Sequence, residues 1–306
     1  MSSKITVIGS LNMDLVVNAP RVPVMGETIL GSGFMTASGG KGANQAVAAA
    51  RLGGEVSMIG CVGNDMYGKD LLHNLKENNV IIDHVTVKDS TSTGIAVIII
   101  KEGDNCIIVN PAANSLLTPE MIEDSEKIIK NSSIIVVQLE IPLPTVVRAI
   151  SLAKKHDIKV LLNPAPASKL SDEVLAMVDV LTPNETECEM ITGIKISSIE
   201  DGKRAVEFLN RKGVPYVIIT MGGNGVVYNS PEGILHKTVP AVKVVDTTAA
   251  GDSFSGAIAV ALSEGKTIDE AVDFANIVGT LTVTKKGAQT SLPTVKDVEN
   301  YIKNNN

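Results

Sequence analysis

The sequence predicts an α/β protein: a doubly wound, mostly parallel sheet flanked by helices, with a small accessory β-sheet standing off it. Three observations carry this. Short, uniformly apolar, β-rich runs recur along the chain; segments with helix-spaced apolar residues alternate with them; and two further β-like stretches have no helix of their own. Strand and helix in alternation imply βαβ units. Runs that are apolar at every position imply strands covered on both faces. At 306 residues and 44% hydrophobic the chain can build a sizeable core, and with no Trp and only 3% aromatics that core must be made of Val, Ile, Leu, Ala and Met. The chain reads as one domain over 1–306, with the accessory strands within roughly 12–38 and 93–111.

The elements follow in order. Residues 5–9 (ITVIG) read as the first strand, and 134–140 (IIVVQLE), 160–163 (VLLN), 180–182 (VLT) and 216–220 (YVIIT) as further strands of the main sheet. The helical segments between them are 44–54, stopping at Gly53; 70–79; 144–157, with Pro144 near its start; and 201–213, stopping at Gly213. Residues 27–38 (ETILGSGFMTAS) and 93–111 (TGIAVIIIKEGDNCIIVNP) read as antiparallel strands, the second with a Gly103-Asp104-Asn105 turn between two β-branched runs. Such a sheet suits a lid, a dimer interface or both. The terminal Asn304–Asn306 reads as a frayed end.

Composition and spacing exclude several classes. The net charge is −7 and there is no Lys/Arg cluster, against a nucleic-acid binder. Cys61, Cys106 and Cys188 lie far apart, which argues against a disulfide framework or a cysteine zinc site; each is expected as a small core hydrophobe. The four His form no HExxH pattern. The longest apolar run, Ile95–Ile100, is too short to span a bilayer, and the first residues show no signal-peptide core, so a cytoplasmic protein is expected. Gly40-Lys41 is followed by Gly42, so there is no P-loop; the first strand is followed by a single glycine, so there is no dinucleotide fingerprint; and Gly251-Asp252-Ser253-Phe254-Ser255 misses the nucleophile elbow by its last residue.

Four clusters remain. In SGGKGANQAVAAARLGG (38–54), Gly39 and Gly40 permit close backbone approach, and Lys41, Asn44 and Gln45 gather at a helix start, where a hydroxyl-rich ligand would find donors. A Gly-rich turn capping a helix explains that segment equally. In SLNMDLVV (10–17), Asn12 and Asp14 alternate to one side of a strand end, where α/β proteins bind ligands, although a plain Asx turn accounts for them more simply. In ITMGGNGVV, Thr220, Gly222, Gly223 and Gly225 could cradle phosphate oxygens, or form an ordinary hairpin turn. In VVDTTAAGDSFSGAIAVALSEG (244–265), a helix starts with Ala249, Ala250 and Gly251 and carries Asp252 in its first turn. A helix N-terminus offers unpaired N–H groups and partial positive charge. Small residues leave those groups open to an anion, and Asp252 beside them could take a proton from an attacking hydroxyl. Asp is also simply a good first-turn residue, but that alone needs no small neighbours.

Together these motifs resemble the ribokinase family of sugar kinases, from end to end of the chain. GGKGANQAVAAARLG and DTTAAGDSFSGA are similar to the family's two signatures, and NPAPA (163–167), TPNETE (182–187) and KKGAQTS (285–291) to its ribokinase branch. The resemblance implies a ribokinase-like fold and transfer of the γ-phosphoryl of ATP to the C5 hydroxyl of D-ribose. Asn12, Asp14, Gly40, Lys41, Asn44 and Glu140 would hold the sugar. Asp252 would be the base, and Gly251 with Ala249 and Ala250 the anion hole. Asn184, Thr220, Gly222, Gly223, Gly225, Gly251 and Asn276 would contact ATP. Glu187 would organise Mg²⁺ through water, and a K⁺ loop would use Asp246, Thr248, Thr282, Lys285, Gly287 and Ser291, mostly through backbone oxygens. A homodimer clasped through the accessory sheet is expected. A kinase for a related pentose such as deoxyribose, and a non-catalytic sugar or nucleotide sensor of the same fold, remain as alternatives; the intact Asp252 and Gly251 speak against the sensor.

Overall fold

The computed structural model describes residues 4–101 and 104–305. Lys4–Ile8 (β1) opens the main sheet; Asn12–Asn18 (β2) and Ser32–Gly39 (β3) leave it to start the accessory sheet. Lys41–Arg51 (α1), Glu55–Gly63 (β4), Met66–Glu77 (α2) and Ile81–Lys88 (β5) return to the main layer, and Gly94–Lys101 (β6) with Asp104–Asn110 (β7) completes the accessory sheet. There follow Pro119–Asp124 (α3), Glu126–Lys130 (α4), Ile134–Val137 (β8), Leu143–Lys155 (α5), Lys159–Leu162 (β9), Asp172–Leu175 (α6) and Val180–Leu181 (β10). Glu185–Thr192 (α7), Ile199–Arg211 (α8), Tyr216–Thr220 (β11), Val226–Ser230 (β12) and Gly233–Lys237 (β13) come next, then Ala250–Ser263 (α9), Ile268–Thr282 (α10) and Val295–Asn305 (α11).

The main sheet has the order β13-β12-β11-β10-β9-β8-β1-β4-β5. All its pairs from β11 to β5 are parallel, and only the pairs β11–β12 and β12–β13 at one edge are antiparallel. The doubly wound sheet is therefore as expected. The chain winds outward from β1 to β4 and β5 on one side and from β8 to β11 on the other, so the order reverses between β1 and β8. Open α/β sheets bind ligands at such a switch point, outside the carboxyl ends of the strands. Consecutive strand residues serve opposite faces, and both are buried: Ile134 and Val136 pack with α1, α9 and α10, whereas Ile135 and Val137 pack with α5 and α8. That is why these runs carry no polar alternation.

The ends of the expected helices shift by a few residues, as the stop signals allow. Gly53 and Gly213 both adopt positive φ just past α1 and α8, the backbone that favours glycine. The C-terminal helix α11 runs on through Asn305 rather than fraying from Asn304; Asn306 lies outside the described residues. Two buried thiols behave as the core residues expected, burial pushing Cys61 up to about 11 and Cys188 up to about 12. Cys106 is a correction: it is exposed, on the edge strand β7.

The accessory sheet has the order β3-β2-β6-β7. Its outer pairs are antiparallel, but the central pair β2–β6 is parallel, because both strands leave the main sheet in the same direction. Residues 27–31 precede the strand rather than forming part of it. The Gly103 end of the expected turn lies outside the described residues. One face of this sheet packs on the main body: Met13, Leu15 and Ile95 pack with Tyr67 and Leu72 of α2 into the main core. Paired residues share a face, which places Asp14 with Ala37 and Ala96 on the opposite side.

Candidate active site

The site begins at the switch point. Beyond β1, Ser10 Oγ donates to Glu140 Oε2 at 2.5 Å, and the Lys41 amide donates to the same oxygen at 3.1 Å. Glycines make this crowding possible. Gly40 has φ +89, and a Cβ on it would meet the Asn12 nitrogen at 2.7 Å; on Gly39 it would run into the Asp14 carboxylate. Asn12 and Asp14 are both buried, Asn12 accepting from Asn114 Nδ2 at 2.8 Å. Asp14, Glu140, Lys41 and Asp252 thus converge from β2, the loop after β8, α1 and α9. Asp14 is pushed up to about 7 by burial, with Glu140 and then Asp252 adding repulsion. Burial pulls Lys41 down, but the carboxylates of Asp252, Glu140 and Glu187 outweigh it and hold the amine above the ordinary lysine value.

The start of α9 is the second part. Ala249 takes left-handed backbone at φ 60 and provides no side-chain cap. The Ala250 amide donates to the Thr247 carbonyl at 3.2 Å, so it is partly engaged, and the first helical bond runs from the Ser253 amide to the Ala249 carbonyl. The amides of Gly251 and Asp252 have no acceptor among the described residues. Gly251 is exposed while Asp252 is 7% exposed. Asp252 Oδ2 accepts from Asn44 Nδ2 at 2.9 Å and Oδ1 from Gln45 Nε2 at 3.0 Å. These bonds exist because α1 and α9 touch through small side chains: Gly256 packs against the Gln45 carbonyl and Ala48.

A cavity of about 180 Å³ lies over this helix end, lined by Lys41, Asn163, Asn184, Glu187, Thr220, Ala249, Ala250, Gly251 and Asp252. A cleft of about 620 Å³ continues from it past Asn184, Thr220, Gly222, Gly223 and Gly225 to Asn276, with Val239, Val242 and Val244 on its walls. Gly225 has φ +89, and a Cβ there would collide with the Lys237 carbonyl. Asn184 caps α7, its Oδ1 accepting from the Glu187 amide at 2.8 Å while Glu187 Oε2 accepts from the Asn184 amide at 2.9 Å. Burial holds Glu187 above its ordinary value against the lowering pull of the Asn184 amide and Lys41, with Asp252 adding to the rise.

Of the six loop residues behind α9, the structure joins three directly. Asp246 Oδ1 accepts from the Thr248 amide at 2.9 Å and Oδ2 from the Gly287 amide at 2.8 Å. Burial pulls Asp246 up, but the bonds from Thr248 and Gly287 outweigh it and leave the carboxyl below its ordinary value. Thr282 and Ser291 are fully buried nearby in sequence, Thr282 Oγ1 donating to Ser253 Oγ at 2.9 Å. Lys285 turns its amine to Asp297 at 3.9 Å, away from this cluster. Among the described residues no group of three or more His, Cys, Asp or Glu forms a metal site.

Sequence reading named Asn44 and Gln45 as donors for a ligand but missed the buried bonds that tie them to other amides. Gln138 Nε2 donates to Gln45 Oε1 at 2.6 Å, Gln45 Nε2 to Asn163 Oδ1 at 3.1 Å, and Gln289 Nε2 to Asn44 Oδ1 at 3.1 Å. Each amide sits in a segment singled out for other reasons; the overlooked signal was polar residues without charge inside apolar runs.

A switch-point cluster of sugar-sized polarity, a carboxylate beside open helix amides, and a long cleft beyond them form the layout of a small-molecule kinase. The chain belongs to the pfkB family of carbohydrate kinases, whose family model matches residues 2–295. It is 41% identical over 304 residues to a ribokinase of Haemophilus influenzae, covering 99% of both chains. It is 37% identical over 300 residues to a deoxyribokinase of Salmonella typhi, covering 97% of this chain and 98% of that one. The structure of Arabidopsis thaliana ribokinase complexed with ribose and ATP superposes with a TM-score of 0.93 at 35% identity, covering 99% of each chain.

Proposed function

We propose that this protein is a ribokinase, transferring the γ-phosphoryl group of ATP to the C5 hydroxyl of D-ribose. The observation that carries this is the position of Asp252, within the first turn of α9, next to the free Gly251 amide and bonded to Asn44. Asp252 takes the hydroxyl proton as the sugar oxygen attacks the γ-phosphorus; the bond to the bridging oxygen breaks and ADP leaves. Phosphoryl transfer asks the protein mainly for positioning and charge neutralisation. The amides of Gly251 and its neighbours meet the transferring group, with Ala249 and Ala250 small enough to leave them open. Asn12, Asp14, Gly40, Lys41, Asn44 and Glu140 hold the sugar, and Asn184, Thr220, Gly222, Gly223, Gly225 and Asn276 the nucleotide.

Glu187 is buried beside the smaller cavity, and a buried carboxylate there fits a hydrated Mg²⁺ on the phosphates; that ion supplies charge neutralisation when bound. Asp246, Thr248, Thr282, Lys285, Gly287 and Ser291 would hold K⁺ mostly by backbone oxygens. The Asp246 carboxylate, already accepting from Thr248 and Gly287, acts chiefly as a clamp between the two loops. A dimer through the accessory sheet and a cytoplasmic location complete the proposal; no helix among the described residues is long and apolar enough to cross a membrane. The chain reads as one domain with its lid. A second reading, a kinase for deoxyribose, is favoured by the Salmonella relative. The experiment is coupled ADP release across a panel of pentoses, fructose and nucleosides. Highest efficiency with D-ribose supports the proposal, deoxyribose in its place supports the second reading, and adenosine or fructose overturns both.

A further inference from the structure

The Asp252 carboxylate is the end point of two chains of amides. In one, Gln138 donates to Gln45 and Gln45 donates to Oδ1; in the other, Gln289 donates to Asn44 and Asn44 donates to Oδ2. Gln45 and Gln138 are fully buried, and Gln45 lines neither cavity. Gln45 therefore does not meet substrate. A buried amide network could serve as packing cement alone, but two features go further. All four amides of the two chains point their donor ends toward the carboxylate. And Gln138 Oε1 has no partner among the described residues, though a buried carbonyl without one is costly. Turning the Gln138 amide over would set its oxygen against Gln45 Oε1, and turning Gln45 as well would set that oxygen against Asp252. The carboxylate thus dictates the sense of the whole chain.

We propose that Gln45 is a positioning residue of the phosphoryl transfer, holding Asp252 Oδ1 so that Oδ2 takes the proton; this rests on the reading of Asp252 as the base. Gln138 fixes the Gln45 amide, and Asn163, whose Nδ2 donates to the Thr182 carbonyl at 2.9 Å, anchors its other contact. Hydrogen bonds to an ionised group favour that form. Losing the Gln45 donor should therefore weaken the base most at low pH. The charged groups facing Asp252 are Asp14 from β2, Lys41 from α1 and Glu187 from α7, with Glu140 from the loop after β8 beside them.

The test is kcat against pH at saturating ATP and sugar, where Asp14 is engaged by substrate, for the wild type, Gln45→Leu, Gln45→Glu, Gln138→Leu and Asp252→Asn, each checked for folding by thermal melting. Gln45→Leu should lower kcat at neutral pH about tenfold, the worth of one hydrogen bond to a charged group, with sugar KM little changed. Its acid limb should move up by about one pH unit. Gln45→Glu should regain activity toward acid pH, where a protonated carboxyl again donates to Asp252, and lose it as that carboxyl ionises. Gln138→Leu should shift the limb in the same direction by less, and it decides the matter if the Gln45 variants do not fold. Folded variants whose acid limb matches the wild type, with Asp252→Asn inactive, overturn the role of Gln45. Near-normal turnover of Asp252→Asn overturns the reading of the base itself.

Discussion

Asp252 and Asp14 are both buried carboxylates, and their surroundings separate them. Asp252 receives an amide on each oxygen, whereas Asp14 faces Glu140 and Asp252 and is pushed up to about 7. In the proposed reaction Asp252→Asn should lower turnover by roughly 10²–10⁴-fold, the range for losing a general base, while sugar binding survives better. Steady-state kinetics with a direct binding measurement checks this; parallel loss of both would mean the residue binds rather than reacts. Asp14 makes a different prediction. Its folded value lies above its unfolded one, so between about pH 4 and about pH 7 the folded state holds a proton that the unfolded chain has lost. Stability from this group is then present at the acid end and falls by up to about 1.4 kcal/mol per pH unit as pH rises through that window. Without sugar, Asp14→Asn should melt above the wild type at pH 8, with the gap closing by pH 5. A gap that does not change with pH would remove Asp14 from the account.

The helices α1 and α9 bring these residues together. Neither has a side chain capping its N-terminus, and both open on a residue with positive φ, Gly40 and Ala249. At their contact Gly256 lies against Ala48, Ala49 and the Gln45 carbonyl, so the two first turns lie close enough for Asn44 and Gln45 to reach Asp252. A Cβ on Gly256 would sit 2.9 Å from Ala48 Cβ. Gly256→Val should therefore push the helices apart, costing about 1–3 kcal/mol in urea unfolding and lowering turnover as the amides leave the carboxylate. Unchanged stability would show that the interface yields without strain. The loops behind α9 carry the cation proposal: activity should rise in potassium over choline buffer, and equal rates would refute it. Much of this was legible locally. The small residues before Asp252 marked an open helix end, and the glycines before Lys41 marked a close approach.

At the scale of the molecule, the face of the accessory sheet that bears Asp14 continues outward through Val16, Met35, Ile98 and Ile107, which the strand register places on one side. On it, Met35 is 43% and Ile107 50% exposed. Apolar edges of this kind are usually covered, and the proposed cover is the same sheet of a second copy. Ile107→Glu should give a monomer by sedimentation with weaker ribose affinity; a wild type that sediments as a fully active monomer at micromolar concentration would defeat the idea.

The sequence by itself determined the layering. Runs such as Ile134–Val137 are apolar on both faces because both faces are covered, and that pattern needs no knowledge of partners. It was silent on β4 and β5, where Glu55, Ser57, Gly60 and Gly63 break the apolar run of one and Asp83, His84 and Thr86 that of the other, yet pairing with β1 and β5 makes β4 an interior strand. It also marked Asp252 and its bare helix end, because a helix N-terminus is a local feature. Only the tertiary structure decided what holds that carboxylate. Asn44 and Gln45 lie 208 and 207 residues away from it, and Gln289 lies 245 residues from Asn44. An uncharged amide carries no sequence signal of its partner; it finds one only when packing brings distant segments within hydrogen-bond reach and leaves its polar atoms nowhere else to go.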